Sequence, residues 1–469
     1  MPKRTFTSLV VSSVIVLCGC SHPSKNTRQP DSDGLRHGTQ ARHLPEEENV
    51  GIPPVAQIDG PPGVITLRDA VALALLNNPK LKAFSLGIRA AEARKLQASL
   101  LPNPEIEVEV EEIGGTGERA RFDSAETTIQ IGQVIELAGK RSKRTHLATL
   151  EEDVAEWDYN SKRSDVIREV ATAFIDLLAA QKRLSLTNEL VRLSEHAYTA
   201  VAQRVKAGKD SPVDQMKAKV ALSSARIESQ RAGETLVSAR HRLAATWGSQ
   251  NPTFEQAEGA LSELSPVPPL EELGHLISQN PDVRRWAAER ERRRAVLDLE
   301  KAKATSDIKL GGGLQYFNEG NDPAFVLGLS IPVPLFDRNQ GSIGEAMYML
   351  AKVEEHRRAV ESDIRAALAE AVTRLSSSFH ESTVLKNDVL SSAQNAFDAT
   401  SRGYSEGKFK YLEVLDAQRT LFEVRGKYIE ALARYHTAKA DVERLIGQDL
   451  DGTKILSKLK HRRASRRTL

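Results

Sequence analysis

From Gly139 to Ala207 the chain runs without a proline and, past Gly139 itself, without a glycine. At a rise of about 1.5 Å per residue, a helix over this stretch is about 100 Å long. A compact domain does not hold such a helix; coiled coils, membrane spans and tubes do. A second proline-free run, Asn339 to about Glu406, predicts another of the same length. The composition fits long helices in an open structure: 27% of residues are charged and only 5% are aromatic. A formal net charge of +2 gives no nucleic-acid footprint.

Each long run is followed by a return helix with a seam. Val414, Ala417, Leu421, Val424, Tyr428, Ala431, Tyr435, Ala438, Val442 and Leu445 alternate steps of three and four. This is a sustained heptad pattern, which calls for neighbouring helices. Ala218, Leu222, Ala225, Ala232, Leu236, Ala239 and Leu243 repeat it earlier with smaller side chains, which let helices approach closely.

The two seams belong to an internal duplication offset by about 200 residues. Asn77-Asn78-Pro79 returns as Gln279-Asn280-Pro281, Ala207-Gly208-Lys209 as Glu406-Gly407-Lys408, and Trp247-Gly248 as Ile446-Gly447. Each copy reads helix, strand, strand, very long helix, turn, long helix. The first helix of copy one spans about Leu67 to Leu100. Ile106 to Val110 and Thr127 to Ile135 alternate apolar and polar residues, as do Ile308 to Tyr316 and Phe325 to Ile331, with Asn318 to Pro323 as a loop. Gly311-Gly312-Gly313 inside a strand pattern marks close backbone packing. Strands of this length and alternation fit an outer-membrane barrel wall, with lipid on one face and a wet lumen on the other. Each hairpin alone fits a soluble sheet with one buried face equally well. Four strands cannot close a barrel, and an open edge in lipid strands backbone polar groups. Several chains in a ring are therefore needed.

The N-terminus reads as an export signal: Lys3 and Arg4, then an apolar run from Phe6 to Leu17 that is short for a span. It ends in Leu17-Cys18-Gly19-Cys20, which resembles a bacterial lipobox, with cleavage before Cys20 and lipid on Cys20. Ser21 rather than Asp leaves the outer membrane as the destination. Cys18 and Cys20 are the only cysteines, so the processed chain has no disulfide and no Cys-ligated metal. The expected organisation is signal 1–19, flexible tether 20–62, first repeat 63–250 with strands about 104–113 and 123–136, and linker 251–269. The second repeat, 270–448, has strands about 306–317 and 324–333, and a basic tail covers 449–469. His22, His37 and His43 fall in the tether and read as linker residues. No nucleophile elbow, paired-His zinc helix or phosphate loop occurs, so neither an enzyme nor a cofactor is expected.

Lipobox, duplication, paired hairpins and helices of this length together resemble the TolC family of outer-membrane efflux channels over about residues 64 to 448. The resemblance implies a mainly α fold with a small β part. Three chains would share a twelve-strand transmembrane barrel, four strands from each, that continues into a periplasmic coiled-coil tunnel. It also implies a homotrimer working with a periplasmic adaptor and an inner-membrane pump of the RND type. Glu136-Leu137-Ala138-Gly139-Lys140-Arg141-Ser142-Lys143-Arg144 and Ile331-Pro332-Val333-Pro334-Leu335-Phe336-Asp337-Arg338-Asn339-Gln340-Gly341 are similar to the strand–helix junctions of the cobalt-zinc-cadmium efflux lipoproteins. Heavy-metal cations are thus the expected cargo. Drug efflux or type I protein secretion on the same fold is the nearer alternative, and a periplasmic adaptor the more distant one. The cluster Lys140, Arg141, Lys143 and Arg144 sits where the chain would leave the membrane, as headgroup ligands or as a solvated helix start.

Tyr404-Ser405-Glu406-Gly407 and Glu413-Val414-Leu415-Asp416-Ala417-Gln418 resemble the turn and inner-helix start at the family's periplasmic tip. The resemblance makes Gly208 and Gly407 the tip turns, and Glu413 and Asp416 a pair of carboxylate rings constricting the entrance. Without it, the pair reads as two solvated charges beside a seam. Copy one carries Asp214 and Lys217 at the matching positions.

Overall fold

The computed structural model describes residues 60, 62–119 and 121–450. Cys20, the tether histidines and the tail 451–469 lie outside the described residues. Copy one contains β1 (Gly63–Thr66), α1 (Leu67–Asn77), α2 (Pro79–Ser99), β2 (Glu105–Glu111), β3 (Glu126–Ile135), α3 (Lys140–Lys206) and α4 (Pro212–Ala245). Next come β4 (Phe254–Glu258) and the short α5 (Leu270–Gly274). Copy two contains α6 (Pro281–Lys303), β5 (Ile308–Phe317), β6 (Asp322–Ser330), α7 (Gln340–Val384), a π turn (Leu385–Val389), α8 (Leu390–Ser405) and α9 (Tyr411–Ile446). Among the described residues no helix is long and apolar enough to cross a membrane.

The repeated Asn-Pro motifs explain a break that the single helix expected over Leu67 to Leu100 missed. Pro79 cannot continue α1, and Asn78 caps α2 instead, its Oδ1 accepting from Leu81 N at 3.1 Å. Its Nδ2 donates to Thr246 O, 2.7 Å away at the end of α4. Asn280 repeats both bonds: Oδ1 accepts from Asp282 N at 2.7 Å, and Nδ2 donates to Leu445 O at 2.9 Å, at the end of α9. Each motif therefore starts an outer helix and ties it to the end of its own copy's return helix.

Two apolar cores form beside these ties. In copy one Val166, Val170, Phe174 and Leu177 of α3 meet Leu243, Trp247, Ile65 and Phe254. In copy two Ile364, Leu368, Val372 and Leu375 of α7 meet Val442, Ile446, Leu273 and Ile277. Copy one adds a parallel pair, β1 on β4, that the sequence pattern did not suggest. Val166 and Ile364 stand 198 positions apart, whereas Gly208 and Gly407 stand 199 apart. The one-residue difference is absorbed by the π turn at Leu385–Val389, which interrupts the long helix expected from Asn339 to Glu406.

The seams are buried along the return helices. All seven copy-one seam residues are buried in α4. In α9, Val414, Leu421, Val424, Ala431, Tyr435, Ala438 and Val442 are buried, with Ala417, Tyr428 and Leu445 half-buried.

Candidate functional site

The two hairpins join into one antiparallel sheet in the order β2-β3-β5-β6, copy one meeting copy two at the β3–β5 pair. Register sorts the side chains cleanly. Ile106, Val108, Ile129, Ile131, Leu310, Leu314, Phe325, Leu327 and Leu329 share one face. That face is bare, with Phe325 and Leu327 each 90% exposed. Such a continuous apolar surface is not left in water by a working protein. The opposite face carries Glu105, Glu107, Glu109, Glu111, Glu126 and Asp322, with Lys309 among them. Lys309 Nζ reaches Glu105 at 3.0 Å and Glu107 at 3.7 Å by crossing Gly132, where an added Cβ would sit 2.8 Å from the lysine Cε. Gly313 is as constrained, since a Cβ there would come 2.2 Å from Ile129 O. Both outer edges of the sheet, on β2 and β6, are unpaired among the described strands. The β5–β6 turn is tighter than the expected loop, because β6 already starts at Asp322.

Below the sheet, two of the four basic junction residues are tied into the protein rather than projecting from it. Lys140 is buried, 2.8 Å from Asp307 Oδ1, and Leu137 N donates to the same carboxylate at 2.9 Å. Arg144 donates to both oxygens of Glu136, at 2.5 and 3.1 Å, and to the carbonyls of Ala98 and Leu100. The junction is therefore a clamp between α2, β3 and α3.

At the far end, Gly208 and Gly407 turn the chain with φ of 69° and 78°. In each turn the next residue's N–H returns to the last helical turn: Lys209 N to Arg204 O at 2.9 Å, Lys408 N to Gly403 O at 2.8 Å. Between the turns lies a polar cluster that the sequence reading missed. Asp210 accepts from Arg204 Nε at 2.9 Å and from the Tyr404 hydroxyl at 2.5 Å. The Arg204 guanidinium also lies 4.7 Å above the Tyr404 ring. Burial pushes the Tyr404 hydroxyl up, and its bond to Asp210 pushes it further. Burial raises the Asp210 carboxyl, but the bonds from Arg204 and Tyr404 outweigh it and leave the group below the usual carboxylate range. The only local hint was an Arg and an Asp flanking Gly208; the third member comes from the other copy.

Glu413 and Asp416 stand exposed on the first turns of α9 and line a shallow groove shared with Ala393, Ala396 and Thr400 of α8. Glu413 Oε2 accepts from Lys410 N at 3.0 Å, so it also closes the start of α9. No described ion pair includes Glu413 or Asp416, whereas Asp214 in copy one has Lys217 Nζ at 3.9 Å. No group of three or more His, Cys, Asp or Glu side chains among the described residues is arranged to hold a metal.

The model of the outer membrane efflux protein family matches residues 70–249 and 273–448, one match for each copy. The chain belongs to this family. It is 34% identical over 386 residues to the cobalt-zinc-cadmium resistance protein CzcC of Cupriavidus metallidurans, covering 82% of this chain and 91% of that protein. It is 26% identical over 317 residues to the nickel-cobalt-cadmium resistance protein NccC of Alcaligenes xylosoxydans xylosoxydans, covering 68% and 71%. A solved structure of CusC, described for folding and transmembrane channel formation, superposes with a TM-score of 0.69 at 18% identity, over 81% of this chain and 92% of that one. The fold is that of the TolC-like channels, and the protein is an outer-membrane efflux component. The bare apolar face of this efflux protein's sheet is accordingly the face of a barrel wall.

Proposed function

We propose that three copies of this chain close a twelve-strand barrel and a periplasmic helical tunnel, anchored by lipid on Cys20. In this reading the duct releases heavy-metal cations handed over by an inner-membrane RND pump through a periplasmic adaptor. The observation that carries it is the four-stranded sheet, apolar along most of one face and, among the described strands, open at both edges. In lipid those edges must find partners, and a ring of identical chains supplies them. The cargo rests on the names of the relatives and on the acidic character of the sheet's other face, which favours cations in a narrow pore. The entrance constriction is assigned to Glu413 and Asp416. Three-fold repetition would bring their unpaired carboxylates together in a ring, while Asp214 beside Lys217 adds no net charge.

The experiment has two arms. A host lacking the gene should accumulate cobalt, zinc or cadmium ions and recover on complementation; recovery of drug resistance alone would move the cargo to the drug-efflux alternative. In planar bilayers, Glu413→Gln with Asp416→Asn should weaken block by a trivalent cation and lower cation preference. Unchanged block and selectivity would make these residues two solvated charges. Labelling with a tagged fatty acid should mark the wild type and spare Cys20→Ser.

A further inference from the structure

The duplication supplies a template for how one copy meets the next. Ser164-Asp165-Val166 of α3 corresponds to Ser362-Asp363-Ile364 of α7, both valine and isoleucine being core positions. Within the chain, α3 lies in a groove formed by the start of α6 and the end of α9. Asp165 Oδ1 meets Arg444 Nε at 2.8 Å, Arg168 meets Asp441 at 3.1 Å, and Ser161 donates to Asp282. Arg444 also holds Asp282 at 2.9 Å, so three helices share one ion-pair network.

Copy one has the matching groove, and nothing among the described residues fills it. It lies between the start of α2, the middle of α3 and the end of α4, with a volume of about 530 Å3. Thr172, on its wall, has a buried hydroxyl with no partner. Two charges of the template are inverted here and one is lost: Lys80 stands for Asp282, Arg242 for Asp441, and the neutral Ala245 for Arg444. Even the internal pair is reversed, Arg242 to Asp176 at 3.4 Å against Asp441 to Arg374 at 3.4 Å.

The face of α7 that corresponds to Ser161, Asp165 and Arg168 is Ala359, Asp363 and Ala366, and all three are exposed. Asp363 takes part in no described ion pair. Where the in-chain occupant carries a cation, Arg168, to meet Asp441, this face carries an alanine, which removes a clash of like charge with Arg242. The groove itself carries Lys80, Arg168 and Arg242 against Glu169 and Asp176, with Lys80 3.3 Å from Glu169, so one carboxylate flanked by small residues balances its excess cation.

We propose that the groove between α2, α3 and α4 receives α7 of a second copy of this chain, with Asp363 of one copy lying between Lys80 and Arg242 of the next. The direction follows from the template: the long helix of repeat one enters repeat two, so that of repeat two enters repeat one of the next chain. Such head-to-tail contacts close into a ring when the rotation from chain to chain completes a full turn. The inference rests on the ring assembly above and adds its register and its charge code.

The test uses the full chain in detergent. Lys80→Cys with Asp363→Cys, treated with a short bis-maleimide, should give a ladder ending at the assembled oligomer, and neither single variant should do so. Asp363→Lys should shift the protein toward monomer, and Lys80→Glu with Arg242→Glu in the same chain should restore the oligomer. An oligomer by mass that gives no ladder overturns the placement while leaving the ring intact. A folded wild-type monomer overturns the ring reading and this inference with it. Loss of the oligomer without rescue by the reversed pair overturns the charge code.

Discussion

The two tips of this chain share a backbone and differ in chemistry. Gly208 and Gly407 make the same turn, with the same returning hydrogen bonds. Four residues before the turn, copy one has Arg204 and copy two Gly403; two residues after it, copy one has Asp210 and copy two Phe409. Copy one thus closes its turn with an ion pair, and copy two closes its own by laying the Phe409 ring where a side chain on residue 403 would stand. The same swap recurs one turn further on, where Asp214 and Lys217 balance each other and Glu413 and Asp416 do not. Duplication fixed the scaffold, and the polar residues then diverged.

The most damaging way to test this difference is to remove the one group both tips use. Asp210→Ala strands Arg204 and leaves the Tyr404 hydroxyl without its acceptor. Charged hydrogen bonds of this kind contribute about 1.5–3 kcal/mol, so the tip should lose about that much local stability. Proteolysis at the 207–211 and 406–410 turns should speed up together if the cluster joins the copies, and only at the first if it does not. Gly403→Ala comes next. Its Cβ would sit 2.1 Å from the Phe409 ring, and overpacking costs about 1–3 kcal/mol. Gly87→Ala, also inside a helix but with nothing within 4 Å, is the matched control, and should gain about 0.5–1 kcal/mol from helix propensity alone. An equal melting temperature for the two would mean that Phe409 has room to move.

Asn78→Ala and Asn280→Ala ask whether the outer-helix ties are equivalent. Each removes a cap and a bond to the return helix, and each should cost about 1–2 kcal/mol. A markedly smaller loss for Asn280→Ala than for Asn78→Ala would show that the ion-pair network around Arg444 shares the load in copy two.

Much of the architecture was legible because it is written in local periods. The absence of breakers from Gly139 to Ala207 marked α3, which runs Lys140–Lys206, and the period of two in Ile106 to Val110 marked β2. What stayed hidden depends on partners far away in the chain. The β1–β4 pair joins segments too short to show a pattern, and Lys309 meets Glu105 only because Gly132 lets it cross a neighbouring strand. Asp210 was unreadable for the same reason: its third partner, Tyr404, sits 194 residues on. The π turn left no local mark either, and shows only as the change of offset between Val166 and Gly208.

The smallest expected effect concerns a position that is ionisable in one copy alone. Glu443 of α9 corresponds to Ala244 of α4, which is fully buried. Burial, reinforced by a hydrogen bond with Asp449, pushes the Glu443 carboxyl up to about 7. Its folded value therefore lies above the unfolded one. The stability it contributes is fully present below the usual carboxylate range and is lost as pH rises through about 7, where burial penalises the charged form. The detergent-solubilised protein should melt at a higher temperature at pH 6 than at pH 8. Glu443→Gln keeps the shape and removes the titration, so it should flatten that difference without disturbing copy one. If the Gln variant keeps the full pH dependence, another group sets it, and the two return helices end in environments as similar as their backbones.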